Sequence, residues 1–367
     1  MALRKFNPES FMEKWSDAEF SPTHSGKTFR DCIAESFGIA KDDNYVYRAA
    51  GETTLTITQR AIDAKRAQGL HGWYHEKDGK PADPEYPTPE EIEAYISLFE
   101  PSVALPKAMN AFKGSAKANT LRSHISTYLD SRLHNSSQGL LPNKKDRNHT
   151  NPYLSLWAYS CRELDWAGPW PNTAFTKISH HILPIFYHHF GCIVPSYAAL
   201  HVIAKLAQPS KPSKEPVKPI LDIGSGSGYW TYMLRKFPSD SNMLPLNVCA
   251  IDNETSEYRI SWINDTIKTN GMDYLAKNNN GKDSVLLLVY PQTTGNFTGP
   301  ILKRFEGDAI VVAGTQNSNG FTAFKDVVVD EWVAKNLKDW ELSLRMPLPS
   351  FAGKDEAMFV FQRKKNA

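Results

Sequence analysis

Pro219-Ile220-Leu221-Asp222-Ile223-Gly224-Ser225-Gly226-Ser227-Gly228-Tyr229-Trp230 is the stretch on which the fold turns. A short apolar run ends in an acid, passes into a glycine turn, and leads into residues that suit a helix start. That succession marks a nucleotide-type cofactor site at the first crossover of a parallel sheet. The spacing of the glycines narrows the choice. A dinucleotide fingerprint needs G-x-G-x-x-G/A. Here the third glycine comes one residue early, at Gly228, and Tyr229 stands where that fingerprint needs a small residue.

Downstream, the chain alternates in a βα manner. Asn247 to Asp252 reads as a second strand ending in an acid. Ser284 to Pro291 is a continuous apolar strand, as expected where helices cover both faces of a sheet. Asp308 to Gly314 is another. Two last strands, around Trp340–Met346 and Ala357–Gln362, are separated by a short Pro/Gly loop, which predicts an antiparallel pair. A strand between residues 253 and 283 is hard to find.

The G-x-G-x-G spacing with Asp222 two residues ahead resembles motif I of the class I S-adenosylmethionine (SAM) methyltransferases. The resemblance implies an α/β fold with a Rossmann-like sheet, mostly parallel with its last strand antiparallel, joined here to a helical N-terminal region. It also implies SAM as cofactor, with Asp222, Gly224, Ser225, Gly226, Gly228, Trp230, Asp252, Asn253 and Tyr290 around it. SAM lacks a pyrophosphate, so no helix N-terminus is needed to hold an anion. Positions 224, 226 and 228 have no side chain and let the main chain approach a ligand closely. Asp222 supplies negative charge near the cationic end. Asp252 accepts both ribose hydroxyls, and Asn253 reaches towards the adenine edge.

The segments Asn151–Trp166, Leu221–Trp230, Leu286–Gln292 and Phe305–Asp308 further resemble a bacterial and fungal group of methyltransferase-like proteins. That group carries Trp-Pro-Pro where this chain has Tyr290-Pro291-Gln292, and Gly-Glu where it has Gly314-Thr315. Some amino-methyltransferases hold a planar amine with Asp/Asn-Pro-Pro-aromatic at the first of these places, and the match is partial. Tyr290, Gln292, Tyr159 and Arg162 are the candidates on the acceptor side. Methyl transfer does not demand a conspicuous catalytic set, because it consists mainly of holding nucleophile, methyl and sulfur in line.

Residues 1–150 read as helices and loops, and residues 151–367 as the SAM-binding domain. Thr88-Pro89-Glu90-Glu91 is a helix start, followed by Ile92, Tyr95, Ile96 and Phe99 at helical spacing. A second helix carries Leu121, Ile125, Tyr128, Leu129 and Leu133 on one face, with Arg122, Arg132 and His134 on the other, as a solvated surface. Gly139–Pro152, with Lys144, Lys145 and Arg147, is expected as a linker at the domain boundary. The proline-rich run from Gln208 to Pro219 is expected as a stiff surface connection.

The chain's 367 residues are 41% hydrophobic and 22% charged, as in a soluble globular protein. A net charge of +2 argues against a nucleic-acid partner and for a small-molecule acceptor. No apolar run reaches membrane-spanning length, and Glu9, Glu13 and Asp17 speak against a transit peptide. Cys32, Cys161, Cys192 and Cys249 show no paired spacing and fit reduced thiols in the cytoplasm. The histidine pairs at 180–181 and 188–189 lack the spacing of a metal site and read as parts of a helix, although one could face the acceptor as a base. The leading reading is a SAM-dependent methyltransferase of a small molecule. A silent SAM-binding protein of the same fold, and a protein or RNA methyltransferase, stay open. Oligomeric state is not legible.

Overall fold

The computed structural model describes residues 6–364 apart from 18, 21, 24, 25, 50, 69, 70, 138, 144–147, 178, 211–213, 238–242, 295 and 318–320. Lys144, Lys145 and Arg147 of the expected linker therefore lie outside the described residues. The N-terminal part runs α1 (Pro8–Ser16), α2 (Phe29–Phe37), β1 (Tyr47–Arg48), β2 (Glu52–Thr53), α3 (Leu55–Ala64), α4 (Pro89–Ile96), α5 (Leu105–Gly114), α6 (Leu121–Arg132) and β3 (His134–Asn135). The start of α4 is a reciprocal cap. Thr88 Oγ1 accepts from the Glu91 amide, and the Glu91 carboxylate accepts from the Thr88 amide. Ile92, Tyr95, Ile96 and Phe99 are all buried, as their spacing predicts. On α6, Arg122 donates to the Phe112 carbonyl at 3.0 Å instead of pointing only to solvent. The helix ends at Arg132, so His134 belongs to β3 and not to a helix face.

The chain continues through α7 (Pro152–Glu163), α8 (Ile182–His189), α9 (Tyr197–Ala207), β4 (Ile220–Ile223), α10 (Tyr229–Arg235), β5 (Val248–Asp252), β6 (Ile267–Lys268), α11 (Gly271–Lys277), β7 (Val285–Val289), α12 (Thr298–Arg304), β8 (Ala309–Thr315), α13 (Val329–Asn336), β9 (Trp340–Pro347) and β10 (Glu356–Arg363). One eight-stranded sheet has the order β3-β9-β10-β8-β7-β4-β5-β6. Strands β6, β5, β4, β7 and β8 are mutually parallel. The last strand, β10, lies antiparallel between β8 and β9. The elusive strand after residue 253 is β6, two residues long and exposed on both.

The apolar runs are buried on both faces. Val285 and Leu287 of β7 point into the layer shared with the N-terminal helices, α9 and α10. Leu286 and Leu288 point into the opposite layer, under α11, α12 and α13. This two-sided cover is why β7 reads as an unbroken hydrophobic run without alternation. Each such side chain contributes about 1.5–3 kcal/mol on burial.

Residue 150 does not separate two cores. A single apolar cluster takes in Phe29, Tyr95 and Ile125 from before it and Trp157, Tyr229 and Val311 from after it. The N-terminal part also adds β3 to the sheet, antiparallel to β9 through His134↔Arg345 and Asn135↔Leu344. No helix among the described residues is long and apolar enough to cross a membrane.

Candidate active site

Strand β4 stops at Ile223, and the next five residues turn sharply into α10. Gly224, Gly226 and Gly228 all have positive φ, at 80°, 56° and 79°. These angles strain any residue with a Cβ, so the three glycines are required by the turn itself. The turn is pinned to β5, whose Ile251 carbonyl accepts from the Gly224 amide at 2.7 Å. Asp252, at the end of β5, accepts the Gly226 amide on Oδ2 at 2.9 Å and the Glu254 amide on Oδ1 at 2.6 Å. Each carboxylate oxygen keeps further acceptor capacity.

The Cβ positions of two glycines are taken up by neighbouring side chains. A Cβ on Gly226 would lie 2.5 Å from the Tyr258 hydroxyl, and one on Gly228 would lie 2.4 Å from Ile263 Cγ1. Both glycines make room for the segment that follows β5. Gly228 does not line the cavity, whereas Gly224, Ser225 and Gly226 do. Tyr229, the residue that breaks the dinucleotide fingerprint, donates from its hydroxyl to Asn151 Oδ1 at 2.8 Å. It thereby ties α10 to the N-terminal cap of α7, a task no small residue could perform.

Asp222 is fully buried beneath the turn. Thr231 donates to its Oδ2 at 2.6 Å, while Oδ1 has no hydrogen-bond partner. Burial pushes this carboxyl up to about 7, the Thr231 bond offsets part of that rise, and the nearby Asp252 adds to it. An unsatisfied carboxylate oxygen in a protein interior is costly, of order 1–3 kcal/mol or more. It is a natural place for an incoming ammonium group.

These residues border a cavity of about 1040 Å³ over the carboxyl ends of β4, β5 and β7. It sits where β4 sends one connection to β5 on one side and has β7 on the other, the crevice in which open parallel sheets bind ligands. Asp252, Asn253, Trp230, Tyr290 and Gln292 also line it. The Trp230 indole N–H is taken by the Ile193 carbonyl at 2.9 Å, so the ring offers an apolar wall. Asn253 is exposed, and its side-chain oxygen accepts from Thr255. Tyr290 has φ 50° and hangs its amide on the Ala313 carbonyl at 2.8 Å. It therefore both packs at the sheet edge and faces the cavity.

Tyr159 and Arg162 are not among the residues that line the cavity. They lie on α7, where the Tyr159 hydroxyl donates to the Lys27 carbonyl and Arg162 pairs with Glu93. The far wall contains residues the sequence reading did not single out: the β1–β2 hairpin through Arg48 and Glu52, Cys192 and Tyr187 near α8, Tyr258 after β5, and Lys354 and Glu356 at the β9–β10 turn. His180 and His181 line it too. Burial pushes His180 down to about 3, so its imidazole is neutral at ordinary pH. His188 and His189 close α8 as buried rings. His188 bonds to Tyr45 and to the Arg48 backbone, and His189 stacks on Phe37.

The N-terminal hairpin is anchored beside the cavity by charge. Arg259, 2% exposed, reaches Asp43 through both terminal nitrogens at 2.6 and 3.0 Å and also donates to the Tyr47 hydroxyl.

No family model matches the sequence, and no curated protein does. Among solved structures, an rRNA methylase from Escherichia coli aligns over 84% of this chain and 100% of its own, at 10% identity and a TM-score of 0.25. A likeness that low carries no argument about fold or activity.

Proposed function

We propose that this chain is a SAM-dependent methyltransferase of the class I plan, acting on a small molecule. The observation that carries the reading is the buried, unpartnered Oδ1 of Asp222 beneath a positive-φ glycine turn, with a second carboxylate, Asp252, one strand away. The strand order, with an antiparallel β10 inserted beside five parallel strands, agrees with that plan. The residues fit the cofactor's chemistry. Asp222 would pair with its ammonium, Asp252 would accept from its ribose, and Ser225 and Gly226 would border it with main chain.

Bound there, SAM supplies a methyl group already activated by a sulfonium. The protein's part is placement and exclusion of water. At about 1040 Å³ the cavity lies at the upper end of the roughly 300–1,000 Å³ of ordinary ligand pockets, a size compatible with a cofactor and a small acceptor side by side. The β1–β2 hairpin contributes Arg48 and Glu52 to the lining, and the net charge of +2 favours a small acceptor over a nucleic acid. Four free cysteines suit the reducing cytoplasm.

Titration calorimetry of the full chain with SAM, S-adenosylhomocysteine and NADH tests the reading. S-adenosylhomocysteine is expected to bind the native chain and to lose about a hundredfold in affinity in Asp252→Ala, the scale of a lost pair of charge-assisted hydrogen bonds. Binding of NADH alone would overturn it. Transfer of labelled methyl into a small-molecule fraction of a cell extract then separates an enzyme from a silent binder, and label found in RNA or protein would overturn the acceptor class.

A further inference from the structure

The cavity lining also holds two oppositely charged side chains outside the proposed cofactor contacts. Lys354 and Glu356 sit two residues apart where the β9–β10 turn enters β10, and they are 3% and 1% exposed. Buried charges ordinarily survive only when paired. Among the described residues no ion pair within 4 Å joins these two. Glu356 Oε2 has no hydrogen-bond partner, and Lys354 Nζ rests 3.0 Å from the centre of the Phe321 ring. Both residues line the cavity.

Neither is placed by a loose loop. The indole nitrogens of Trp157 and Trp166 both donate to the Ser350 carbonyl, at 3.0 and 2.7 Å. The Ser350 amide donates to the Tyr95 hydroxyl at 3.3 Å, and Ser350 Oγ accepts from the Glu356 amide at 2.8 Å. Strand alternation puts Glu356 on the same face as Met358 and Val360, which pack against the N-terminal helices. The turn is thus pinned around two oppositely charged side chains, one of which, Glu356, leaves its Oε2 without a hydrogen-bond partner. Burial pushes the Glu356 carboxyl up and the Lys354 ammonium down, each towards its neutral form, while the attraction between them opposes both shifts.

We propose that Lys354 and Glu356 recognise an acceptor hydroxyl carried on a planar aromatic ring, and that Glu356 takes its proton. A hydroxyl satisfies both residues with one oxygen, donating to Glu356 and accepting from Lys354. An ammonium would meet Lys354 as a like charge, and a carboxylate would meet Glu356 as one. The rings of Tyr187, Tyr258, Tyr290, Phe321 and Phe351 wall the same space and offer stacking surfaces to a planar ligand. The transfer step rests on the methyltransferase reading. In it the ionised fraction of Glu356, which grows as pH rises, would take the hydroxyl proton, the oxygen would bond to the methyl carbon, and the carbon–sulfur bond would break with its electron pair going to sulfur. Lys354 balances the phenolate charge, and Glu356 later yields its proton to water.

Phenol binding itself does not depend on that step and is tested alone. Phenol, 4-methylphenol and catechol are titrated into the full chain by ligand-observed NMR, each against its methyl ether. The phenols are expected to bind about tenfold tighter than the ethers, the scale of one hydrogen bond to a charged group. That preference is expected to vanish in Glu356→Leu, which removes the acceptor, and to shrink in Lys354→Met. Equal binding of phenols and ethers by the native chain, no binding of either, or a preference that survives Glu356→Leu in a folded protein would each overturn the proposal. S-adenosylhomocysteine calorimetry on the same samples reads the cofactor site separately. Its failure strikes the methyltransferase reading and leaves the phenol result standing or falling by itself.

Discussion

Replacing Asp222 with Asn should make the protein more stable and a poorer binder, and the gain in stability should depend on pH. An ordinary aspartate titrates near 3.8, whereas the buried Asp222 carboxyl is pushed up to about 7. The unfolded chain therefore gives up this proton well before the folded chain does. Stability from this group is fully present below pH ~4 and is lost as pH rises through ~7. A difference of about 3 pH units corresponds to about 4 kcal/mol at 1.36 kcal/mol per unit. Asn at this position keeps an acceptor for Thr231 and has no charge to bury. The stability gap between Asp222→Asn and the native chain should therefore widen by about 3 kcal/mol between about pH 5 and about pH 8. Urea unfolding followed by circular dichroism at the two pH values measures it. Other buried groups, such as Asp355 and Glu356, are present in both proteins and cancel in the comparison. A gap that stays constant across that range would refute the argument. S-adenosylhomocysteine affinity should fall by about tenfold or more in the same variant, because an ammonium loses a charged partner.

Gly226→Ala should destabilise the fold by about 1–3 kcal/mol, since it combines a left-handed backbone with a clash against Tyr258, and adding Tyr258→Phe should recover part of the loss in thermal unfolding. Arg259→Met should cost about 3 kcal/mol by leaving Asp43 unpaired, and limited proteolysis should then cut first near the β1–β2 hairpin.

The parallel strands could be read because each is a local run of apolar residues ending at a recognisable turn. Asp222, Gly224, Gly226 and Asp252 are close in sequence to such turns, so this wall of the cavity was legible. Strands β3 and β6 were not. Each has two residues without an apolar pattern, and each exists only because a distant partner strand supplies its hydrogen bonds. The far wall was illegible for a similar reason. Lys354 and Glu356 sit in a charged turn that reads as surface, and only the packing of Trp157, Trp166 and Tyr95 around Ser350 takes them out of solvent. Tyr159 and Arg162 misled because an aromatic and a cation on one helix suggest a pocket, while each has a structural partner of its own.

The short pairing of His134–Asn135 with Leu344–Arg345 has a further consequence for how the chain is made. During synthesis, the segment that seals this border of the sheet leaves the ribosome long before the strand it must dock on. Until then the early helices lack the surface that covers them, and such long-range closure slows folding. A chaperone that shields these helices should raise the yield of native protein more than one acting after release.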